Sequence, residues 1–566
     1  MSLLEQHFDV AFAAPDGIKK LRELILTLAM QGKLVPQDPN DEPASELLRS
    51  IKLEKQRLVK EGKIKQPKPL PEIESEEIRY DLPDRWEWVR IRNICHDWGQ
   101  KTPDQLFTYI DVGSINNTKG IIREDVQLLE SSDAPSRARK IVRQGTVIYS
   151  TVRPYLLNIA IVEQEYIHEP IASTAFAIVH PYSGIVNRFI YYYLKSPVFI
   201  RFVESTMKGV AYPAINDGDF FRAVFPLPPL ADQRRIVAKI DRLMARCDEL
   251  EKLRVDRSQR LLTVHTAALD RLLTAKDSSE FSTAWSFITQ HFCELYSVKE
   301  NVIKLRKTIL QLAVMGKLVP QDPHDEPASE LLRSIELEKQ RLVKEGKIKK
   351  SKPLPEIDQE EIPYELPKEW VWARLGDISL FSDSGWSPQC LSEPRSGQEW
   401  GVLKVSAVSW GEFRYEENKA LPPGIEAKPE CEVRAGDFLI SRANTEDLVA
   451  RSVLVKSSPI CLMMSDKIVR FKLSQKIEKE FINFANLSQF SREYYASNAS
   501  GTSSSMKNIS REVMNNLPIP LPPLAEQGRI VEKIDRLMGM CDRLEESIAS
   551  AKVKQTDLLN ALMSQI

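Results

Sequence analysis

The chain repeats itself, and the repeat decides most of what it can become. LVPQDPNDEPASELLRSIKLEKQRLVKEGKIK, from Leu34, returns from Leu318 with differences only at Asn40 against His324 and Lys52 against Glu336. QHF at Gln6 and again at Gln290 keeps the same spacing of 284, and DLPDRWEWVRI from Asp81 answers ELPKEWVWARL from Glu365 before the likeness fades. It resumes where PLPPLADQRRIVAKIDRLM, from Pro226, returns as PLPPLAEQGRIVEKIDRLM, from Pro520, at a spacing of 294. The middle of the second copy is therefore ten residues longer. Two copies of this period cannot make a solenoid, so the repeat predicts a tandem duplication and a pseudo-symmetric pair. Each half is ordered as helical segment, divergent middle, PLPPL and long helix.

Periodicity assigns the parts. Leu47, Leu48, Ile51, Leu58 and Val59 fall on one stripe, which predicts a helix over Ser45–Glu61 stopped by Gly62, and the second copy repeats it from Ser329 to Gly346. KQPKPLPEIESEEI and KKSKPLPEIDQEEI read as exposed extended linkers, because proline and charge oppose both helix and central strand. The middles hold short strand-like runs between turn residues, such as GTVIYSTV from Gly145, IASTAFAIV from Ile171, GVLKVSAV from Gly401, GDFLIS from Gly436 and DKIVRFKL from Asp466. Helical stretches follow late in each. After PLPPL, steps of four and three place Ile530, Ile534, Leu537, Cys541, Leu544 and Ile548 on a coiled-coil seam. The first copy follows it through Ile236, Ile240, Leu243, Cys247 and Leu250, then meets Arg254 and Arg257. A helix of about 40 to 45 residues is roughly 60 to 68 Å long. The two would bury their stripes against each other.

The predicted fold is thus mixed α+β: two α/β domains joined by long antiparallel coiled-coil helices in a pseudo-twofold repeat. The boundaries read as a helical region and linker over 1–83, a first domain over 84–225, a long helix over 226–275, a second helical region and linker over 276–367, a second domain over 368–519 and a last long helix over 520–566.

Composition narrows the function by exclusion. A formal charge of -1 gives no global basic field, so a polyanion would be met only by local patches. Seven scattered cysteines form no CxxC pair and no zinc spacing, which suggests a reducing compartment and no metal. No basic leader precedes an apolar core at the N-terminus, and no run approaches a membrane span, so a cytoplasmic protein without membrane contact is expected. Gly32-Lys33 and Gly316-Lys317 lack the rest of a phosphate loop and read as helix ends. No dinucleotide fingerprint, HExxH or GxSxG occurs, nor the N/D-P-P-aromatic tripeptide of amino-methyltransferases. His7 and His291 read as packed or capping residues, and Cys247 and Cys541 as buried packing.

The PLPPLAEQ-x-RIVEKID motif, the GKLVPQDPNDEPASELL block and the two-copy layout closely resemble the DNA-specificity subunit of type I restriction-modification systems. The resemblance spans essentially the whole chain. It implies a non-catalytic subunit whose two middles are target-recognition domains, each reading one half of a bipartite, asymmetric site in double-stranded DNA. It also implies that the long helices dock two modification (methyltransferase) subunits, that restriction/translocase subunits join through them, and that S-adenosylmethionine sits in the partners, with no cofactor in this chain. A rod of roughly 60 Å spans up to about two turns of B-DNA at 34 Å each. Gly528 departs locally from the arginine at Arg234. A two-armed scaffold gripping proteins instead of DNA is the alternative, and an autonomous methyltransferase or nuclease is a third reading opposed by the missing motifs.

Four regions offer DNA contacts. Arg137, Arg139, Lys140 and Arg143 cluster in RARKIVR, for phosphate or simply as a solvated charged face. Strand-end loops carry Thr151, Arg153 and Tyr155 in one domain and Arg442, Asn444 and Arg451 in the other; arginine can pair with guanine and asparagine with adenine, although Asn444-Thr445 also suits a plain turn. The loops before PLPPL offer Lys208 and Tyr212, and Ser503, Ser504, Ser505, Lys507 and Asn508. Lys101 with Trp98, and Ser384 to Trp386, lie early in each domain as weaker candidates. PLPPL itself reads as a stiff joint between domain and helix.

Overall fold

The computed structural model describes residues 6–66, 69–209, 212–501 and 506–564. It divides into two compact units, Met1–Asp256 with Ala551–Ile566, and Arg257–Ser550. Each long helix therefore begins in one unit and ends in the other.

In the first unit the helix Gly17–Met30 ends at Gly32, whose φ of 70° fits a left-handed cap. The amide of Lys33 closes it by donating to the Leu28 carbonyl at 2.8 Å. The predicted amphipathic helix forms over Ala44–Lys60, with Ile51 and Leu58 buried. Its counterpart in the second unit runs over Ala328–Lys344. The linkers are mostly exposed and extended as read, but each is pinned at one turn. Glu77, in the turn Ser75–Glu77, takes both arms of the buried Arg90 guanidinium at 2.5 and 2.7 Å. Arg90 also donates to the carbonyls of Pro71, Glu72 and Arg222. Glu361 and Arg374 repeat this in the second unit at 2.8 and 2.6 Å, with the carbonyls of Pro355, Glu356 and Asn516.

Each domain is closed where the chain enters and leaves it. Glu87–Arg90 pairs antiparallel with Val224–Leu227, and Val371–Arg374 with Pro518–Leu521. The first residues of PLPPL are thus strand, which proline tolerates in a two-stranded ribbon with no second neighbour to hydrogen-bond. Trp86 donates to Asp232 on the first turn of the long helix at 2.9 Å, and Trp370 to Glu526 at 3.0 Å. Arg235 pairs with Asp41, and Arg529 with Asp325.

Inside the domains the sequences diverge but the main four-stranded sheet keeps one strand order, while the smaller sheet has four strands in the first domain and three in the second. In the first, a sheet is ordered Cys95–His96, Phe176–Pro181, Val147–Ser150, Ile159–Ile161; in the second, Ser379–Ser384, Ile468–Leu473, Phe438–Ser441, Ser452–Leu454. A smaller sheet in each contains one parallel pair, Phe107–Ile110 with Pro170–Ser173, and Gly401–Leu403 with Leu462–Met463. Two sequence runs prove composite: IASTAFAIV splits into strands at Pro170–Ser173 and Phe176–Pro181, and VSAV turns as a 3-10 helix after Leu403.

The long helices run over Leu230–Thr274 and Leu524–Met563, 45 and 40 residues. Within the first unit, Ile236, Ile240 and Cys247 bury against a core containing Ile25 and Leu26. Within the second, Ile530, Ile534 and Cys541 share a core with Ile309 and Leu312 of the helix Lys299–Val314. The short helices of the duplicated segment contribute to covering these stripes, while Leu250, further along the predicted seam, is 48% exposed. Arg254, which interrupts the stripe, donates to the carbonyls of Ala13 and Ala14 at the end of the helix Phe8–Phe12. Leu559 and Leu562, near the end of the second long helix, cluster with Ala11, Phe12 and Leu24.

Candidate nucleic-acid interface

In the first domain two loops that lie apart in the sequence form one surface. The strand Val147–Ser150 runs into Thr151, whose hydroxyl donates to the Ala175 carbonyl at 2.9 Å. Val152 then bridges to Ala214, and the Arg153 amide donates to the Pro213 carbonyl at 2.8 Å. Lys208 pairs with the same Ala214 from the other side. Arg153, Tyr155, Lys208 and Tyr212 are consequently neighbours, all exposed, with the Arg153 guanidinium 5.1 Å from the centre of the Tyr212 ring. The backbone is held in an uncommon form: Arg153 has φ 48° and Leu157 φ 52°, flanking the short turn Pro154–Leu156.

The second domain builds the equivalent surface from unrelated residues. Past Phe438–Ser441, Ala443–Asn444 pairs with Lys507–Asn508, and the Ile509 amide donates to the Arg442 carbonyl at 2.8 Å. Arg442 also donates its own amide to the carbonyl of the exposed Lys467 at 2.9 Å. The Asn444 side chain is partly spoken for, donating to the Ser409 hydroxyl at 3.0 Å and accepting from the Thr445 amide. Lys507 reaches the Gly501 carbonyl at 3.1 Å. Ser503, Ser504 and Ser505 lie outside the described residues.

A third loop joins each surface, and the sequence reading missed both. Asn117 donates to the Leu156 carbonyl at 3.1 Å from the turn that also carries the exposed Lys119. Gly120 lets this turn press onto the helix Asn187–Leu194, since a Cβ there would lie 1.8 Å from the Tyr191 hydroxyl. In the second domain Ser409 holds Asn444 and leads into Trp410, 56% exposed. NNTKG and a tryptophan beside glycine were the available signals.

The remaining candidates separate by environment. RARKIVR leads up to the strand Val147–Ser150 and also holds a strand of its own, Ala138–Ile141. That turns Lys140 inward, where it is buried and its ammonium donates to the Phe176 carbonyl at 2.6 Å and Asp217 at 2.5 Å. Lys140 is a structural cation, not a surface one. Arg137 is exposed, and Arg139 is half-buried and turned back onto the Ala138 carbonyl. Arg143 is exposed and stacks over Trp98 at 3.9 Å. Beneath lie His96 and His180, both held below the usual histidine range chiefly by burial, His180 down to about 4, so the two imidazoles add no charge to that of the Arg143 guanidinium at neutral pH. Lys428 over Trp386 at 4.6 Å is a similar stack in the second domain. Lys101 is bound to Glu169 at 2.7 Å and Asp104 at 3.1 Å, and Arg451 donates to the Asp447 carbonyl. Cys247 and Cys541 are buried, as their seam positions require.

Two domains with one main-sheet order, each gathering loops at the end of the same strand to offer arginine, lysine and aromatic side chains, define a duplicated binding protein. A family model described as type I restriction modification DNA specificity domain matches residues 83–257 and 367–555. The EcoEI type I restriction enzyme specificity subunit of Escherichia coli is 39% identical over 559 residues, covering 96% of this chain and 93% of that protein. The EcoAI specificity subunit, also of Escherichia coli, is 38% identical over 561 residues, with coverage of 96% and 93%. The solved HsdS subunit from Thermoanaerobacter tengcongensis is a looser likeness, 23% identical with a TM-score of 0.46 over 85% of this chain and 97% of that one. The chain belongs to the type I restriction-modification DNA specificity family, and DNA target specificity is its function.

Proposed function

We propose that residues 84–225 and 368–519 each read one half of a bipartite, asymmetric site in double-stranded DNA, through the loop surfaces centred on Arg153 and on Arg442. The observation that carries this reading is the convergence of the same pair of loops, in two domains that share the order of their main sheet but not sequence, on one strand end. A reader whose frame is fixed while its loops vary is what unequal half-sites require. The bases would be contacted by Arg153, Arg442 and Asn444, and by Tyr155, Tyr212 and Asn508 at the margins. Lys208, Lys507, Arg137, Arg139, Arg143 and Arg451 would meet phosphates. Lys101 is neutralised by its two carboxylates and contributes less.

On this reading the chain performs no chemistry and carries no cofactor. It works in the cytoplasm with two methyltransferase subunits, which hold S-adenosylmethionine, and with restriction/translocase subunits. A protein-gripping scaffold is disfavoured by the family match over both domains. Methylome sequencing of cells with and without this chain tests the proposal: a two-part modified motif should vanish with the chain. Binding of the methyltransferase-loaded complex that is equal on all duplexes would overturn it.

A further inference from the structure

The turn Pro154–Leu156 is built unlike the loops around it. Two non-glycine residues with left-handed backbone, Arg153 and Leu157, bracket it within five positions. Such a conformation costs energy and persists only where the surroundings hold it. Here several contacts do: Arg153 amide to Pro213 carbonyl, Asn117 side chain to Leu156 carbonyl, Leu157 amide to Pro154 carbonyl, and a buried Pro154. What this rigid turn lifts into solvent is apolar. Tyr155 is 47% and Leu156 43% exposed, in a neighbourhood that otherwise offers Arg153, Lys208 and Lys119. A soluble surface gains nothing from a stiffened apolar tip ringed by cations. A surface meeting DNA does, because the cations engage phosphates while the tip enters the base stack.

We infer that Leu156, backed by Tyr155, is a wedge that partly unstacks one base step in the half-site read by the first domain. The inference rests on the DNA-reading proposal and goes beyond it. Specificity at that step comes from how readily the step opens, independently of any hydrogen bond to a base edge. The corresponding loop of the second domain carries Glu446 and Asp447 at its exposed tip and cannot act in this way.

The test uses the complete complex with its methyltransferase subunits and a duplex of the motif found by methylome sequencing, with 2-aminopurine placed at successive positions. The parent complex should brighten the probe at one step of the half-site assigned to residues 84–225. Leu156→Ala should abolish that rise, weaken binding to the intact duplex by about tenfold or more, and gain nothing from a mismatch placed at the step, whereas the parent gains. Leu156→Met should retain the rise. Leu156 is exposed, so the thermal midpoint of the Ala variant should match the parent. Brightening that survives Leu156→Ala, a methylated adenine lifted by the partner included, would overturn the wedge. So would loss of methyltransferase co-purification with brightening intact, which would make the tip a protein contact. Sequence-selective binding with no brightening anywhere sinks the wedge alone; absence of selective binding by the parent sinks the reading beneath it as well.

Discussion

At the scale of single residues, the basic side chains of the first domain divide into readers and supports by what already holds them. Among the described residues the exposed Arg153 guanidinium has only an aromatic face as partner, so Arg153→Ala is expected to relax base preference at one position, costing about 1–3 kcal/mol on the target. Competition binding against single-base variants would measure it. Lys140 is committed to Asp217 and a carbonyl, so Lys140→Met should lower the thermal midpoint of the domain while leaving its base preference unchanged. A changed recognition motif in a stably folded Lys140→Met protein would contradict that assignment. In the second long helix Gly528 occupies the place of Arg234, and a Cβ there would meet nothing within 4 Å. Gly528→Ala should therefore stabilise by roughly 0.5–1 kcal/mol through the helix backbone alone, visible as a raised denaturant midpoint.

At the scale of elements, the clamps between linker and domain are the most informative. Arg90 and Arg374 hold the carboxyls of Glu77 and Glu361 below the usual carboxylate range, chiefly by direct hydrogen bonding. A carboxyl with a lowered folded value stabilises fully above its unfolded value near 4.3 and loses that contribution as pH falls through the folded value. The double variant Glu77→Gln with Glu361→Gln should be less stable at neutral pH, yet lose less on acidification between about pH 5 and pH 3 in urea titrations. These clamps were not legible in sequence, although Arg90 and Arg374 sit in the repeated motif, because pairing across thirteen residues of irregular chain leaves no periodic signal. The helices were legible from their stripes; those of the duplicated segment moved by a residue or two, and the long ones begin four residues later than read, at Leu230 and Leu524, because the first residues of PLPPL are strand. The reading surfaces were half legible: the strand-end loops and pre-helix loops were both named, but their joining through Ala214 and Asn508 depends on tertiary contacts that no local pattern encodes. Lys140 misled because a short strand hidden in RARKIVR sends alternate residues inward.

At the scale of the whole molecule, duplication supplies two frames and divergence supplies two surfaces. Because each domain is closed by its own entry and exit strands, exchanging residues 84–225 for the equivalent domain of another member should change one half of the methylated motif and leave the other intact. Methylome sequencing of the chimera checks this; a change in both halves would mean the domains do not read independently. The cluster of Leu559 and Leu562 with Ala11, Phe12 and Leu24 also has a consequence in time. Residues that complete the first unit leave the ribosome more than five hundred positions after those they cover. At about 5–20 residues per second, the apolar patch around Leu24 waits for roughly half a minute to nearly two minutes before its lid is made. During synthesis that patch is where a chaperone would be expected to sit, and where a nascent chain stalled in its second half would begin to aggregate.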